Sequence, residues 1–514
     1  FGGGRRPIRG TEVLEALPLG EGMVLAIVRV AFSEGEPEVY TIPLGWANGE
    51  AGADLWARAP HAVVCRLHVR AERSDDPPGV VFDALADAAR CTPLLEAIRD
   101  RRQVRGASGE LVGTVEAPGE TLGDEALEPR VVKSEHGNGA IVFGDRVFLT
   151  LFRRLGDGMN PALEIGRALV RYGNPSCTPA LLGALEYAVR RREPLTVCVA
   201  HELVMSESDG REHMREVVGR FLERIVTEER DEVPPALPER SLVRLSELTP
   251  PPAIAERMGT YLDTARTIGR RVGELHVALG RITDDPAFAP EPYSALDQRS
   301  TYQTMRNVAG KVLRSLRLAI PRLPTETVEV AGKVLERQQL LYDRLAPLRD
   351  RRLTSLRMRI HGDLNLSRFL FTGKDIVLVD FEGDRTRSLQ ERRRKRSPLR
   401  DVATMVRSFH RVAITAMLDP ALVREGDRDI ATPWADAWGT WASATFLGAY
   451  LETTAGAAFI PEDRGEIALL VDTFSLEHLL YELGFALDEN VRRTDVALHG
   501  LLAMLRAGPE AGRA

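Results

Sequence analysis

The chain has 514 residues, 44% of them hydrophobic and 28% charged, with a formal net charge of −6. That length exceeds what one hydrophobic core supports, so two or three domains are expected. The composition is that of a soluble globular protein, and the mildly negative balance gives no general attraction to nucleic acid or an anionic membrane.

No run of about 18 apolar residues occurs, so no transmembrane helix is expected, and no secretory leader pattern is visible. The first residue is Phe1, not Met, which suggests residues missing upstream. Cys65, Cys91, Cys177 and Cys198 are far apart, without metal-ligand or disulfide spacing. Reduced thiols in a cytoplasmic protein are expected.

In chain order, "MVLAIVRVAF", "EVYTIPLGWA" and "AVVCRLHVRA" within residues 11–70 read as antiparallel strands, the first two separated by the turn-like "SEGEPE". A helix is expected over "VFDALADAARCTPLLEAIRD", residues 81–100. The Gly-, Glu- and Pro-rich stretch after it places a boundary near residue 125. "GAIVFGDRVFLTLFRRL" reads as two strands joined at Gly144-Asp145. Asn160-Pro161 then supplies a helix N-cap followed by proline at the first helical position. "PLTVCVAHELVM" is a further strand ending in a hinge. From about residue 206 the pattern is mostly helical, with a Pro-rich excursion at 234–253. Apolar residues from Ile254 to Leu279 recur at steps of three and four, the pattern of one amphipathic helix, and two more helices are expected around 463–507.

The fold expected from this order is α+β, a protein-kinase-like bilobal fold. A strand-rich cap subdomain would cover 1–125, a kinase-like N-lobe and hinge 126–205, and a helical C-lobe 206–514.

The chemistry is concentrated in "RIHGDLNLSRFLFTGKDIVLVDFEGD", residues 359–384. Phosphoryl transfer needs a carboxylate to orient the acceptor hydroxyl, another to hold magnesium, and a cation on the phosphates. Asp363 is placed for the first task. Asp380, seventeen residues later and beyond a short hairpin, is placed for the second.

This stretch, with "FGDRVFLTLFRRL…NPALEIGR", "YLDTARTIGRRVGELHVAL", "QRSTYQTMRN" and above all "VDFEGDRTRSLQERRRKRSPLRDVATMVRSF", resembles the maltokinase family. Its members are relatives of aminoglycoside phosphotransferases, often fused behind a trehalose synthase domain. The resemblance covers nearly the whole chain; "FGGGRRPI" is similar to the family's "WFGGKxR" opening, and "GEPEVYTIPLGWANGE" to its cap domain. It implies transfer of phosphate from ATP, with Mg2+, to the anomeric hydroxyl of maltose or a related sugar for α-glucan synthesis. A fused or bound trehalose synthase is the implied partner. Asp363 would be the base and His361 would brace its loop. Asp380 would bind the metal, with Glu382 nearby. Glu164 would face the phosphates from the lobe helix, and Glu202 and Val204 would lie in the adenine hinge. Arg400 and Asp401 would brace the catalytic loop, and Glu477, Tyr481, Glu482 and Arg306 would line the sugar pocket.

Three departures stand out. The family reads "HGDYHLGQ" or "HGDLHLGQ" where this chain has "HGDLNLSR", so Arg368 replaces the metal-binding Gln. A guanidinium has no lone pair for a metal. Held about 5 Å from a divalent ion, it costs about 6–7 kcal/mol at an effective dielectric of about 20. Either Arg368 turns away, or it pairs with a phosphate and leaves one metal on Asp380. Second, Thr150 stands where the family has the phosphate-binding Lys; Lys133 and Arg154 are the candidate substitutes, to rescue the charge and partner Glu164. Third, His478 replaces a Lys, and "ENVRRTD" lacks the family's Arg-Pro-Asp-Trp, whose Trp would stack on a sugar face.

Of the remaining features, "RRRKR" (392–396) reads as solvated charge on a loop near the active site. "SEHGNGAIVFG" is a glycine loop or an ordinary turn, and His276 is an interior histidine. Two functions stay open: a maltokinase-like sugar kinase, or a catalytically impaired kinase fold that binds a glycan or partner beside a trehalose synthase.

Overall fold

A computed structural model describes residues 6–20, 22–67, 79–116, 122–123, 125–134, 137–238, 241–491 and 494–505. Parts of the "FGGGRRPI" opening, the boundary stretch near 125, the 134–144 loop and "ENVRRTD" lie outside the described residues. The chain divides into two compact units. The first comprises Phe1–Asn174, Pro179–Met205 and Asp384–Arg393; the second comprises Pro175–Thr178, Ser206–Gly383 and Arg394–Ala514. The fold is α+β, strand-rich in the first unit and helical in the second. No helix among the described residues is long and apolar enough to cross a membrane.

The first unit holds two antiparallel sheets. One orders β1 (Ile8–Gly20), β2 (Met23–Phe32), β3 (Glu38–Ala47), β5 (Gly79–Asp83) and β4 (Val63–Leu67), with β11 (Arg154–Leu155) added beside β3. The other runs β6 (Gln103–Arg105), β7 (Gly109–Val115), β12 (Leu181–Val189), β13 (Leu195–Glu202), β10 (Val147–Leu151), β9 (Gly139–Phe143) and β8 (Pro129–Val132). Both sheets feed one core, in which Leu17 and Ile27 pack with Ile141, Leu149, Leu185 and Val197. The β9–β10 turn falls at Gly144, which adopts φ +57°, as the Gly-Asp signal requires.

Helices of this unit are α1 (Gly49–Arg58), α2 (Thr92–Arg99) and α3 (Pro161–Tyr172). Asn160 caps α3 by accepting from the Ala162 amide at 2.9 Å, with Pro161 opening the helix as expected. The helix expected over 81–100 is shorter. Val80 and Phe82 are buried in strand β5 against Leu55 of α1, and the Asp83 carboxylate accepts from the Leu85 amide, turning the chain through two 3-10 turns before α2 begins.

The second unit begins with β14 (Ser208–Asp209) and continues through α4 (Gly210–Glu228), α5 (Leu242–Leu245), α6 (Pro252–Met258), α7 (Thr260–Gly280), β15 (Glu291–Pro292), α8 (Ala295–Ala319), α9 (Thr325–Glu336) and α10 (Gln338–Asp350). The strands β16 (Leu356–Arg357), β17 (Phe369–Phe371) and β18 (Ile376–Leu378) follow. α11 (Leu389–Arg392) lies in the segment belonging to the first unit. Then come α12 (Leu399–Leu418), α13 (Arg428–Thr453), α14 (Arg464–Glu489) and α15 (Thr494–Met504). The single helix expected over 254–279 is two, α6 and α7, because Gly259 breaks it at φ +51°. Apolar periodicity runs through the break, and only the backbone dihedral reveals it.

Within α7, Gly269 and Gly273 let α13 approach closely. A Cβ on Gly269 would lie 2.2 Å from the Phe446 carbonyl oxygen, and one on Gly273 2.7 Å from Thr453. The next turn of α7 therefore presses fully buried His276 against Tyr450. A second imidazole, His410 of α12, is half-buried and packs against Gly439 of α13. Burial pushes its pKa down to about 3, with the Arg407 charge adding to the effect. The folded chain thus keeps His410 neutral while the unfolded chain protonates near pH 6.5. The stability is complete above that pH and is lost as pH falls. By pH 5 the loss from this residue is roughly 2 kcal/mol. Urea unfolding at pH 7 and 5 measures it, and His410→Leu should shrink the difference by about that amount.

Candidate functional site

The catalytic-type hairpin forms in the second unit as the spacing implied. β17 and β18 pair Phe369 with Leu378 and Phe371 with Ile376, with the turn between them. Asn365 opens the preceding loop: its Oδ1 accepts from the Ser367 amide at 3.0 Å and its Nδ2 donates to the Asp363 carbonyl at 3.0 Å. One helical turn, Leu366–Arg368, then aims Arg368 back along the loop.

Arg368 is 7% exposed, and its guanidinium bridges both carboxylates. Nη2 donates to Asp363 Oδ2, Nη1 lies 2.6 Å from Asp380 Oδ2, and Nε lies 3.4 Å from the Asp363 carbonyl oxygen. Burial opposes the charge, but Asp380 and Asp363 overcome it, and the arginine pKa lies above its ordinary value. Asp380 adopts φ +66°, a left-handed conformation that short polar residues tolerate best. Such strain persists only where the surroundings fix it; here Gly362 and Gly383, also at positive φ, pass close to one another, a Cβ on Gly362 falling 3.7 Å from Gly383 Cα.

The loop is held from below. Asp401, 2% exposed at the start of α12, accepts from the His361 amide at 2.8 Å and the Gly362 amide at 3.0 Å. Its Oδ2 also meets His276 Nε2 at 3.1 Å, while His276 Nδ1 meets the Tyr450 hydroxyl at 3.0 Å. His276 is thus an interior histidine with both nitrogens partnered. His361 Nε2 donates to the Val379 carbonyl at 3.1 Å, its ring packs on Phe381, and burial lowers its pKa. Loop and hairpin are tied together through this imidazole. Arg400 makes no hydrogen bond or ion pair to the loop among the described residues. It forms a two-armed pair with Glu477 at 2.6 and 3.2 Å and stacks over Phe474.

Of the residues expected at a sugar, Glu477 is buried in that pair, Tyr481 is 41% exposed, and Glu482 lies 3.4 Å from Arg411 Nε. His478 is pushed below the ordinary histidine pKa by burial. Arg306 is not grouped with them. It lines a separate groove between α8 and α10 that includes none of the three.

In the first unit, Thr150 sits on β10 opposite Ala140 and Val199. Glu202 ends β13, paired with Val147, and Val204 follows it. Lys133 is exposed just beyond β8. Neither suggested substitute meets Glu164: Arg154 pairs instead with Glu38 at 3.1 Å. The partner is Arg393, whose Nη2 and Nε reach the two Glu164 oxygens at 3.0 and 3.2 Å and whose Nη1 reaches Glu193 at 2.8 Å. One member of the "RRRKR" run, read from sequence as solvated charge, is thus tied into the first unit. Its 229-residue separation from Glu164 left no local signal. Arg393→Ala would remove the two-armed ion pair from a carboxylate on a residue only 8% exposed, and is expected to destabilise the unit by about 1–3 kcal/mol, read from the urea midpoint. Lys at that position should recover only part, because an ammonium cannot make the planar two-armed pair.

Magnesium does not fit this arrangement, since the carboxylate assigned to it is already held by an internal cation. Among the described residues no three His, Cys, Asp or Glu side chains converge as a metal site.

No family model matches the chain. Among solved structures it is similar to a glucosamine kinase in complex with glucosamine, ADP and inorganic phosphate. The TM-score is 0.62 at 18% identity, over 98% of this chain and 94% of that one. Two further crystal forms of glucosamine kinase match with TM-scores of 0.61 and 0.60, at 18% and 19% identity, over 98% and 96% of this chain and 95% and 91% of theirs. The chain has a kinase-like fold.

Proposed function

We propose that the chain is a maltokinase-like protein whose phosphoryl-transfer centre is closed by its own arginine, so that it serves to bind a sugar or a partner and does not turn over ATP at kinase rates. The observation that carries this reading is the guanidinium of Arg368 bridging Asp363 and Asp380. A metal entering at Asp380 must first displace the guanidinium of a buried arginine from that carboxylate. Thr150 adds no positive charge, and all three donor positions of Arg393 are taken by Glu164 and Glu193. Phosphoryl transfer ordinarily needs magnesium and a cation on the phosphates; here the Asp380 carboxylate is occupied by Arg368 and position 150 carries no charge.

The sugar class follows from the resemblance and is supported by the fold shared with glucosamine kinase: maltose or a related sugar, in α-glucan metabolism. A cytoplasmic trehalose synthase, in the same polypeptide or in complex, is the proposed partner.

One observation favours the second reading, an active sugar kinase that makes maltose 1-phosphate from ATP. The Asp363 loop is fully braced by Asp401 and His361, as a working base would require. Phosphorus NMR with magnesium-ATP and, separately, maltose, glucose and glucosamine decides between the two. No anomeric phosphate resonance is expected. A new resonance that vanishes in Asp363→Asn would establish the kinase.

A further inference from the structure

The groove between α8 and α10 has a volume of about 790 Å³ and is built from regularly spaced residues. Tyr302, Arg306, Gly310 and Arg314 follow one another at i, i+4 along α8, so they share a face. Tyr342 and Ala346 face them from α10. The two helices are tied at both ends. Gln298 Nε2 donates to the Leu348 carbonyl at 2.6 Å, and Arg317 donates to Gln338 Oε1. The hollow lies between these ties, over a glycine in the helix interior, where glycine is ordinarily unfavourable. A Cβ at Gly310 would stand 3.4 Å from Arg314 Nη1 and 3.6 Å from the Tyr342 hydroxyl.

These distances describe a cradle. Arg314 already curls back over Gly310, Tyr342 presents a hydroxyl from across the groove, and Arg306 stands one turn away on the other side. Neither Arg306 nor Arg314 has a hydrogen-bond or ion-pair partner among the described residues. Of the other lining charges, Arg349 pairs with Asp350 at 2.6 and 2.7 Å, and Asp343 accepts from Gln339 at 2.9 Å and keeps its negative charge, one lining carboxylate against three lining arginines. Two uncompensated guanidiniums flanking a bare stretch of helix match an oxyanion with several acceptor oxygens. The rest of the groove has a different character. The Tyr302 ring, with Arg349 over it, offers a flat apolar face, and Asn307 and Gln339 offer neutral amides. That combination suits a polyhydroxylated ring.

We infer that this groove is a binding site for a phosphorylated sugar, with the phosphate over Gly310 held by Arg306, Arg314 and the Tyr342 hydroxyl, and the sugar lying toward Tyr302. The groove belongs wholly to the second unit and does not include Asp363, Arg368 or Asp380. The inference stands apart from the proposed function, and either can fail alone.

Calorimetric titration of the full chain with glucose 1-phosphate, inorganic phosphate and glucose tests it. Saturable binding of glucose 1-phosphate is expected, at least tenfold tighter than inorganic phosphate, with none for glucose. Gly310→Ala is the most informative variant, because alanine favours the helix while its methyl group intrudes where the phosphate would rest. It should keep or raise Tm and weaken binding at least tenfold, as should Arg314→Ala. Absence of saturable binding, equal affinity for inorganic phosphate, or unchanged affinity in both variants would overturn the inference.

Discussion

Arg368→Gln is expected to turn Asp363 and Asp380 into a divalent-cation site. The substitution removes a fixed positive charge and the ion pair that occupies Asp380, and it supplies an amide oxygen that can coordinate. Removing the pair and the fixed positive charge should raise Mn2+ affinity at least about tenfold, the equivalent of about 1.4 kcal/mol. The cost to folding is smaller. The Asp363 and Asp380 side chains are 34% and 27% exposed, so water takes over much of what the guanidinium supplied. A loss of about 1–2 kcal/mol is expected. Electron paramagnetic resonance of Mn2+ reads the first effect and urea unfolding the second. On the proposed function, activity should not return with this change alone, because Thr150 supplies no charge where the maltokinase pattern has a lysine. Nor should Thr150→Lys alone restore it, because Arg368 would still hold Asp380.

Asp401→Ala is expected to be the most damaging single substitution in the second unit. One carboxylate serves two backbone amides of the Asp363 loop and the buried His276 ring. Deleting it strands the buried His361 N–H at a cost of about 1–3 kcal/mol, leaves a buried histidine nitrogen unpartnered at a similar cost, and hands the exposed Gly362 N–H to water. A loss of about 3–5 kcal/mol in urea unfolding is expected. Asp401→Asn, which retains one acceptor oxygen, should lose roughly half as much. Hydrogen exchange at His361 and Gly362 should speed up in both variants, since those amides would lose their acceptor.

The parts of this arrangement that sequence revealed are those that short-range chemistry determines. Gly144 needed a left-handed turn, Asn160-Pro161 opened a helix, and the two Asp residues flanked a hairpin whose ends must meet. The incompatibility of Arg368 with a metal was also legible, since it follows from the guanidinium alone. Its actual partners were not: whether the side chain turns outward or inward depends on packing around residues 362–383. The Glu164–Arg393 pair was hidden for a related reason. Segment Asp384–Arg393 belongs to the first unit although its chain neighbours on both sides belong to the second. A charge run carries no mark of which carboxylate it will meet. Gly259 was hidden differently, because apolar period is continuous across it and only the dihedral is not.

The central claim is that an internal guanidinium holds the position a metal would need. Titrating the unaltered chain with Mn2+ without nucleotide, followed by electron paramagnetic resonance, tests it most directly. The account predicts no Mn2+ binding tighter than about 1 mM, a threshold of roughly 4 kcal/mol. Micromolar binding that disappears in Asp380→Asn would contradict it, and would mean that Arg368 yields its carboxylates to a metal in the working protein.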